Sequence, residues 1–222
     1  MGGAAAQQTP QQQTSGAAPG AADNPAASTP ETTPPAPEAR KIGHPGLLVT
    51  ETDLQRIRDK LAASAQPWVG GWGMLLNGGR ANLDTRPFPL ATVIRGVDGQ
   101  NFGVMIVDMQ RALHLALRWK ITNDENYAKK SVEFLNAWSS TLTKLDGNSN
   151  VFLASGLYGF QWANAAELMR TYSGWAKEDL TRFQDMLLKV FYPLCHDFLV
   201  NHNGTETRKV NHYWANWDLC NI

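Results

Sequence analysis

The chain is poor in the features that would place it at once. Its 222 residues hold two cysteines, Cys195 and Cys220. Two are too few for a disulfide framework or a cysteine metal site, and the sequence leaves open whether they form one bridge or stay as two thiols. No apolar run reaches the ~18 residues that a membrane-spanning helix needs. No basic n-region followed by an apolar h-region opens the chain, so no signal peptide is visible. Formal net charge is zero. Residues 1–40 carry one basic residue (Arg40) and three acids (Asp23, Glu31, Glu38), which leaves 19 basic and 17 acidic residues in the remainder. So even a balance excludes the electrostatic footprint of a nucleic-acid-binding protein.

Residues 1–40 also lack any aromatic residue and any Leu, Ile or Val. Such a segment cannot bury enough apolar surface to offset its ordering entropy. We read residues 1–41 as a disordered linker rich in Pro, Ala, Thr and Gln, of a kind that often tethers secreted carbohydrate-active domains. The folded part is expected over residues 42–222. That length suffices for one substantial core.

What the chain does have is helical periodicity and tryptophan. Thr50 caps a helix with acids in its first turn and Leu54, Ile57 and Leu61 on one face. A short, glycine-interrupted helix runs from Pro67 to about Leu76. Residues 77–100 read as an irregular loop bearing Arg80, Arg86 and Arg95. A loop of that length is often functional, and its arginines suit carboxylates. From Phe102 onward the pattern is helical, with no strand expected. One stripe runs Phe102, Met105, Ile106, Met109, Leu113, Ala116, Leu117. Asn123-Asp124 caps a second helix with Phe134, Leu135 and Trp138 in its core, and residues 146–150 form a loop. Further helices are expected over residues 153–172 and 177–200, the latter kinked by Pro193. A loop over residues 201–209 carries the sequon Asn203-Gly204-Thr205, and a last helix begins near Asn211. Long helices joined by short polar loops imply antiparallel hairpins, and hence an all-α fold: a bundle, a solenoid or a closed α/α toroid.

Two stretches concentrate chemistry. Asn211-His212-Tyr213-Trp214-Ala215-Asn216-Trp217 packs two amides, an imidazole, a phenol and two indoles into seven residues. His212 can carry a proton near neutral pH, and the indoles offer flat faces for a sugar ring. The second is Leu157 to Arg170. There Gln161 and Asn164 sit in an otherwise apolar helix beside Trp162, and an amide in that setting needs a partner or a polar cleft. Glu167 and Arg170, one turn apart, read as a local ion pair. His114 reads as a satisfied core or boundary histidine. His196, Asp197, His202 and His212 show no zinc-ligand spacing.

At these stretches, and at His44-Pro45-Gly46-Leu47-Leu48 followed by the capped helix, the sequence resembles the alginate lyase family. The resemblance covers roughly residues 42–222, and it implies the N-terminal portion of an incomplete α/α toroid truncated at its C-terminus. It implies a polysaccharide lyase that cuts a uronate-containing polymer by β-elimination. Asn211, or Asn164 as a second candidate, would donate to the substrate carboxylate and stabilise the enolate-like charge. His212 would take the C-5 proton. The tyrosine that protonates the leaving oxygen in relatives would lie beyond Ile222, with Tyr213 the nearest phenol in this chain. Gln161, Trp162, Trp214, Trp217 and Arg86 would bind substrate. An anionic polysaccharide is the expected partner, with no nucleic acid, no membrane, no metal and no cofactor. The substrate class points to an extracellular or periplasmic location. A glycoside hydrolase on the same scaffold would need two carboxylates about 5–10 Å apart, and nothing pairs Asp218 with Glu167. A non-catalytic carbohydrate-binding helical domain would keep the tryptophans without needing His212 as a base.

Overall fold

The computed structural model describes residues 43–201. The order of elements is helix α1 (Glu51–Ala62), helix α2 (Trp68–Asn77), strand β1 (Thr92–Arg95), helix α3 (Phe102–Thr122), helix α4 (Glu125–Thr141), strand β2 (Lys144–Gly147), helix α5 (Asn150–Met169), helix α6 (Lys177–Met186), a π-helical turn (Leu187–Phe191) and helix α7 (Tyr192–Asn201). The described residues are mostly helical, as the periodicity implies. The linker expected over residues 1–41 lies outside them.

Helix α1 starts where Thr50 predicts. Thr50 Oγ1 accepts the Asp53 N–H at 3.2 Å, and Asp53 Oδ2 accepts the Thr50 N–H at 3.0 Å. This reciprocal capping box satisfies donors that a helix start otherwise leaves open. The Thr50 hydroxyl also donates to Asp53 Oδ2 at 2.6 Å, and this bond, then the one from the Thr50 N–H, with Arg56 beside them, hold the Asp53 carboxyl below its usual range. Helix α3 ends at Asn123, whose φ of 59° puts it in the left-handed region. Asp124 then caps α4 by accepting the Asn126 N–H at 2.9 Å. So tight a link folds α4 back along α3. Helix α5 packs on both of them.

Two expectations need correction. Strand β1 lies inside the stretch read as irregular, and β2 lies where no strand was expected. They pair in parallel, Thr92 opposite Lys144 and Arg95 opposite Gly147. Four-residue strands carry too little periodicity to announce themselves. These two are defined by each other across the α3–α4 hairpin. Val93 and Leu145, paired in register, are both buried. Gly147 has φ of 133°, and a Cβ there would meet the Arg95 carbonyl oxygen at 1.9 Å, so no side chain fits. The break near Pro193 takes a different form from a simple kink. Pro193 has no N–H to offer Lys189 and its ring crowds that carbonyl. The helix widens one turn earlier, and the Tyr192 N–H reaches back five residues to the Leu187 carbonyl.

The core centres on aromatic side chains of α4, α5 and α6. Trp138 and Trp162 lie with ring centroids 5.8 Å apart. Phe183 stands edge-on to Trp162 at 6.3 Å and to Trp175 at 5.8 Å. Such pairs add about 0.5–1.5 kcal/mol beyond the area they bury. One acid sits among them. Asp108, on α3, is 1% exposed and accepts the Phe88 N–H (2.6 Å), Trp138 Nε1–H (2.9 Å) and a donor of Arg111 (3.1 Å). It fastens the loop before β1 to the hairpin of α3 and α4. On α7, Cys195 is buried with Sγ 3.3 Å from Ser155 Oγ, while Cys220 lies outside the described residues. No helix among the described residues is long and apolar enough to cross a membrane.

Candidate active site

Helix α5 carries three of the residues singled out from sequence, and each has a distinct environment. Twelve of its positions are buried, among them Tyr158, Trp162, Asn164 and Ala165, so most of the helix surface faces protein. Trp162 is 0% exposed and its ring is covered by Trp138 and Phe183. No face of that indole is open to a sugar. Its Nε1–H has no partner among the described residues.

Asn164, 4% exposed, uses both ends of its amide. Oδ1 accepts the Leu48 N–H at 3.0 Å, and Nδ2 donates to the Phe160 carbonyl at 2.7 Å. The partner required of an amide in an apolar helix is thus the backbone of the segment before α1. Gln161 is half-buried, and its Nε2 donates to the Leu157 carbonyl one turn back at 3.0 Å. Arg86 is exposed, with its guanidinium carbon 5.0 Å from the Phe88 ring centroid. Asn211, His212, Tyr213, Trp214 and Trp217 lie outside the described residues, as do His202 and Asp218.

Two further clusters on α5 were not legible as such. At its C-terminal end, Glu167 Oε1 accepts from His44 Nδ1 at 2.5 Å and from the Gly46 N–H at 3.1 Å, with Arg170 3.6 Å from the other oxygen. The ion pair read between Glu167 and Arg170 is therefore part of a larger anchor. Together with Asn164 it ties His44-Pro45-Gly46-Leu47-Leu48 down onto α5. Those two stretches carry the family resemblance separately in the sequence and touch each other in the fold. A hint lay in Glu167 itself, a lone acid in a mostly apolar helix.

Toward the N-terminal end, Arg95 at the close of β1 lies 4.9 Å from the Phe102 ring centroid and 5.4 Å from that of Tyr158, and donates to Tyr158 Oη at 2.5 Å. Burial raises the Tyr158 phenol above its ordinary range, and Arg95 pulls in the opposite direction. Of the three loop arginines, Arg95 is thus held against aromatic rings, Arg80 Nε donates to Gln110 Oε1 at 3.2 Å, and Arg86 reaches furthest into solvent. His114 departs from the expectation of a satisfied histidine, since its Nδ1 is buried without a partner among the described residues. Burial, reinforced by the positive charge of Arg80, lowers its pKa.

Among the described residues no group of three or more His, Cys, Asp or Glu side chains could hold a metal ion. The polar groups near α5 are those of hydrogen bonding and charge: arginine guanidinium groups, a carboxylate-oriented imidazole and amides, of which Asn164 is engaged at both ends. Such a set suits an anionic, hydroxyl-bearing ligand.

Comparisons with known proteins extend this picture. Neither the curated proteins nor the solved structures contain a match. A family model described as alginate lyase matches residues 99–222. The match takes in helices α3 to α7 and continues through the Asn211-His212-Tyr213-Trp214 element. Covering more than half of the chain, it shows that this protein belongs to the alginate lyase family.

Proposed function

We propose that the protein is a polysaccharide lyase that cleaves alginate or a related polyuronate by β-elimination. Family membership carries the general activity, and the Asn211-His212-Tyr213-Trp214 element within the matched span carries the detail. The C-5 proton of a uronate is weakly acidic, because the carbanion it leaves is adjacent to a carboxylate. Lowering that barrier needs a donor to the carboxylate and a base with a pKa near working pH. We assign the donor to Asn211 and the base to His212; the C-4–O-4 bond breaks as the C-4/C-5 double bond forms, and the leaving oxygen takes a proton from a phenol, for which Tyr213 is the candidate in this chain. Asn164 was the other candidate donor, but its amide is committed to Leu48 and Phe160. A neutral amide suits the task better than an acid would, since it adds no charge that competes with the enolate.

Substrate binding follows the same division. Trp214 and Trp217 are the stacking surfaces we retain, because Trp162 is sealed in the core. Arg86, exposed on its loop, is placed to meet a carboxylate arriving from solvent. Gln161 keeps its Oε1 for a hydroxyl donor. We assign the helical hairpins to an α/α toroid. The chain acts without a metal or other cofactor in this reading, and outside the cytoplasm, where polyuronates occur.

The test is the ultraviolet absorbance of the unsaturated C-4/C-5 end formed by elimination. The protein is incubated with alginate, polyglucuronate and a neutral glucan, with His212→Ala alongside. Absorbance rising on a polyuronate and vanishing in the variant supports the reading. Reducing ends without absorbance would make the protein a hydrolase. Binding without either product would make it a carbohydrate-binding domain.

A further inference from the structure

A pocket of about 270 Å³ opens where the segment before α1 crosses α5 and faces α6. Its apolar side is formed by Ala163, Ala166, Phe183 and Leu187, and its polar side by His44, Arg170, Gln184 and Glu167, whose carboxylate is already engaged by His44, the Gly46 N–H and Arg170. The state of each polar group can be read from its contacts. Glu167 holds His44 through Nδ1, which leaves Nε2 for a ligand. The side chain of His44 is 35% exposed, enough to meet a ligand. Arg170 lies 3.6 Å from Glu167 Oε2, an ion pair that leaves most of its five donors unused. The Gln184 amide makes no hydrogen bond to any described residue.

An imidazole nitrogen, a guanidinium fork and an amide thus line a pocket with an apolar floor. That is the usual composition of a small-molecule site: mostly apolar, with a few polar groups that set orientation. The fork selects a carboxylate, because it can make two parallel charge-assisted bonds to one. His44 Nε2 suits a hydroxyl, which can either donate or accept. The floor favours a ring with a C–H face. The geometry points to a binding site for a hydroxy-carboxylate of sugar-acid size at His44, Arg170 and Gln184, separate from the Asn211-His212 element. The site does not depend on the lyase reading, since every group in it is accounted for by contacts on α5, α6 and the segment before α1.

D-glucuronate is the probe, with D-glucose as its uncharged counterpart. Each is titrated calorimetrically into the full chain, Arg170→Gln and His212→Ala, while the imidazole signal of His44 is followed by nuclear magnetic resonance. Arg170 is 43% exposed and pairs only with Glu167, so the variant retains the fold, and its unchanged melting temperature verifies this. The expected result is binding of glucuronate and not glucose, a shift of the His44 signal, and affinity weakened by about tenfold or more in Arg170→Gln. His212→Ala leaves that binding intact. The proposal is overturned if glucose binds as well as glucuronate, or if Arg170→Gln binds like the parent. It also fails if His212→Ala alone abolishes binding, which would place the ligand at the reactive segment. Failure of the lyase assay on every polymer would leave these outcomes unaffected.

Discussion

Two carboxylates, Asp108 and Glu167, do opposite things with the same chemistry. Asp108 is sealed between α3 and α4, with donors from Phe88, Trp138 and Arg111 filling its acceptor sites. Glu167 stands at the mouth of a pocket, 11% exposed, and holds a surface segment through His44 and Gly46. The first organises the core and has nothing left for a ligand. The second orients a histidine whose side chain is 35% exposed. An acid in a helix therefore says little by its type alone. What its donors are attached to decides whether it serves the fold or a site.

The contrast can be broken or sharpened by substitution. Asp108→Ala has the largest expected effect. It strands a half-buried guanidinium and a buried indole N–H, a loss of about 3 kcal/mol in stability, measurable by denaturant unfolding. If the loss were under about 1 kcal/mol, Asp108 would not be the organiser of the core described here. Glu167→Gln keeps the shape and removes the charge. It should lower stability by about 1 kcal/mol and speed hydrogen exchange at the Gly46 amide, while exchange in α4 stays unchanged.

His114 gives a smaller and pH-dependent effect. Its pKa in the fold lies below the unfolded value of 6.5. Above that pH both states carry the neutral ring. As pH falls below it, the unfolded chain takes up the proton first, so stability declines until the folded pKa is passed. His114→Gln should flatten that decline in a series of melting curves from neutral to acidic pH. Arg86→Ala should be the mildest for the fold, within about 0.5 kcal/mol, because the residue is exposed. Its effect belongs to binding. KM for a polyuronate should rise about threefold, and less at high salt, since an exposed charge is readily screened.

Where one short segment decided the structure, the sequence was easy to read. Thr50 with Asp53, the apolar stripe of α3 and the Asn123-Asp124 link each announce a helix end or face from adjacent residues. Elements that depend on distant partners were hidden. Strands β1 and β2 exist through their pairing, and from sequence the Asp146-Gly147 end of β2 reads as the start of a loop. The same holds for the site residues. Asn164 reads from sequence as an amide in need of a partner and Trp162 as a stacking surface, but composition could not say that one ties down Leu48 and the other is closed off by Trp138 and Phe183. The contact of His44 with Glu167 spans 123 positions and leaves no local trace. Asn211 and His212 stand out for the opposite reason, because their chemistry is crowded into adjacent residues.

The central claim is that His212 is the base of an elimination on a polyuronate. The most direct measurement is the rate of ultraviolet absorbance increase on alginate and polyglucuronate for the parent and for His212→Ala, at matched folding. The account predicts absorbance on at least one of these polymers, and a rate in the variant lower by about 100-fold or more, as loss of a general base implies. A variant as fast as the parent would remove His212 from the chemistry. Bond cleavage without absorbance would contradict elimination itself.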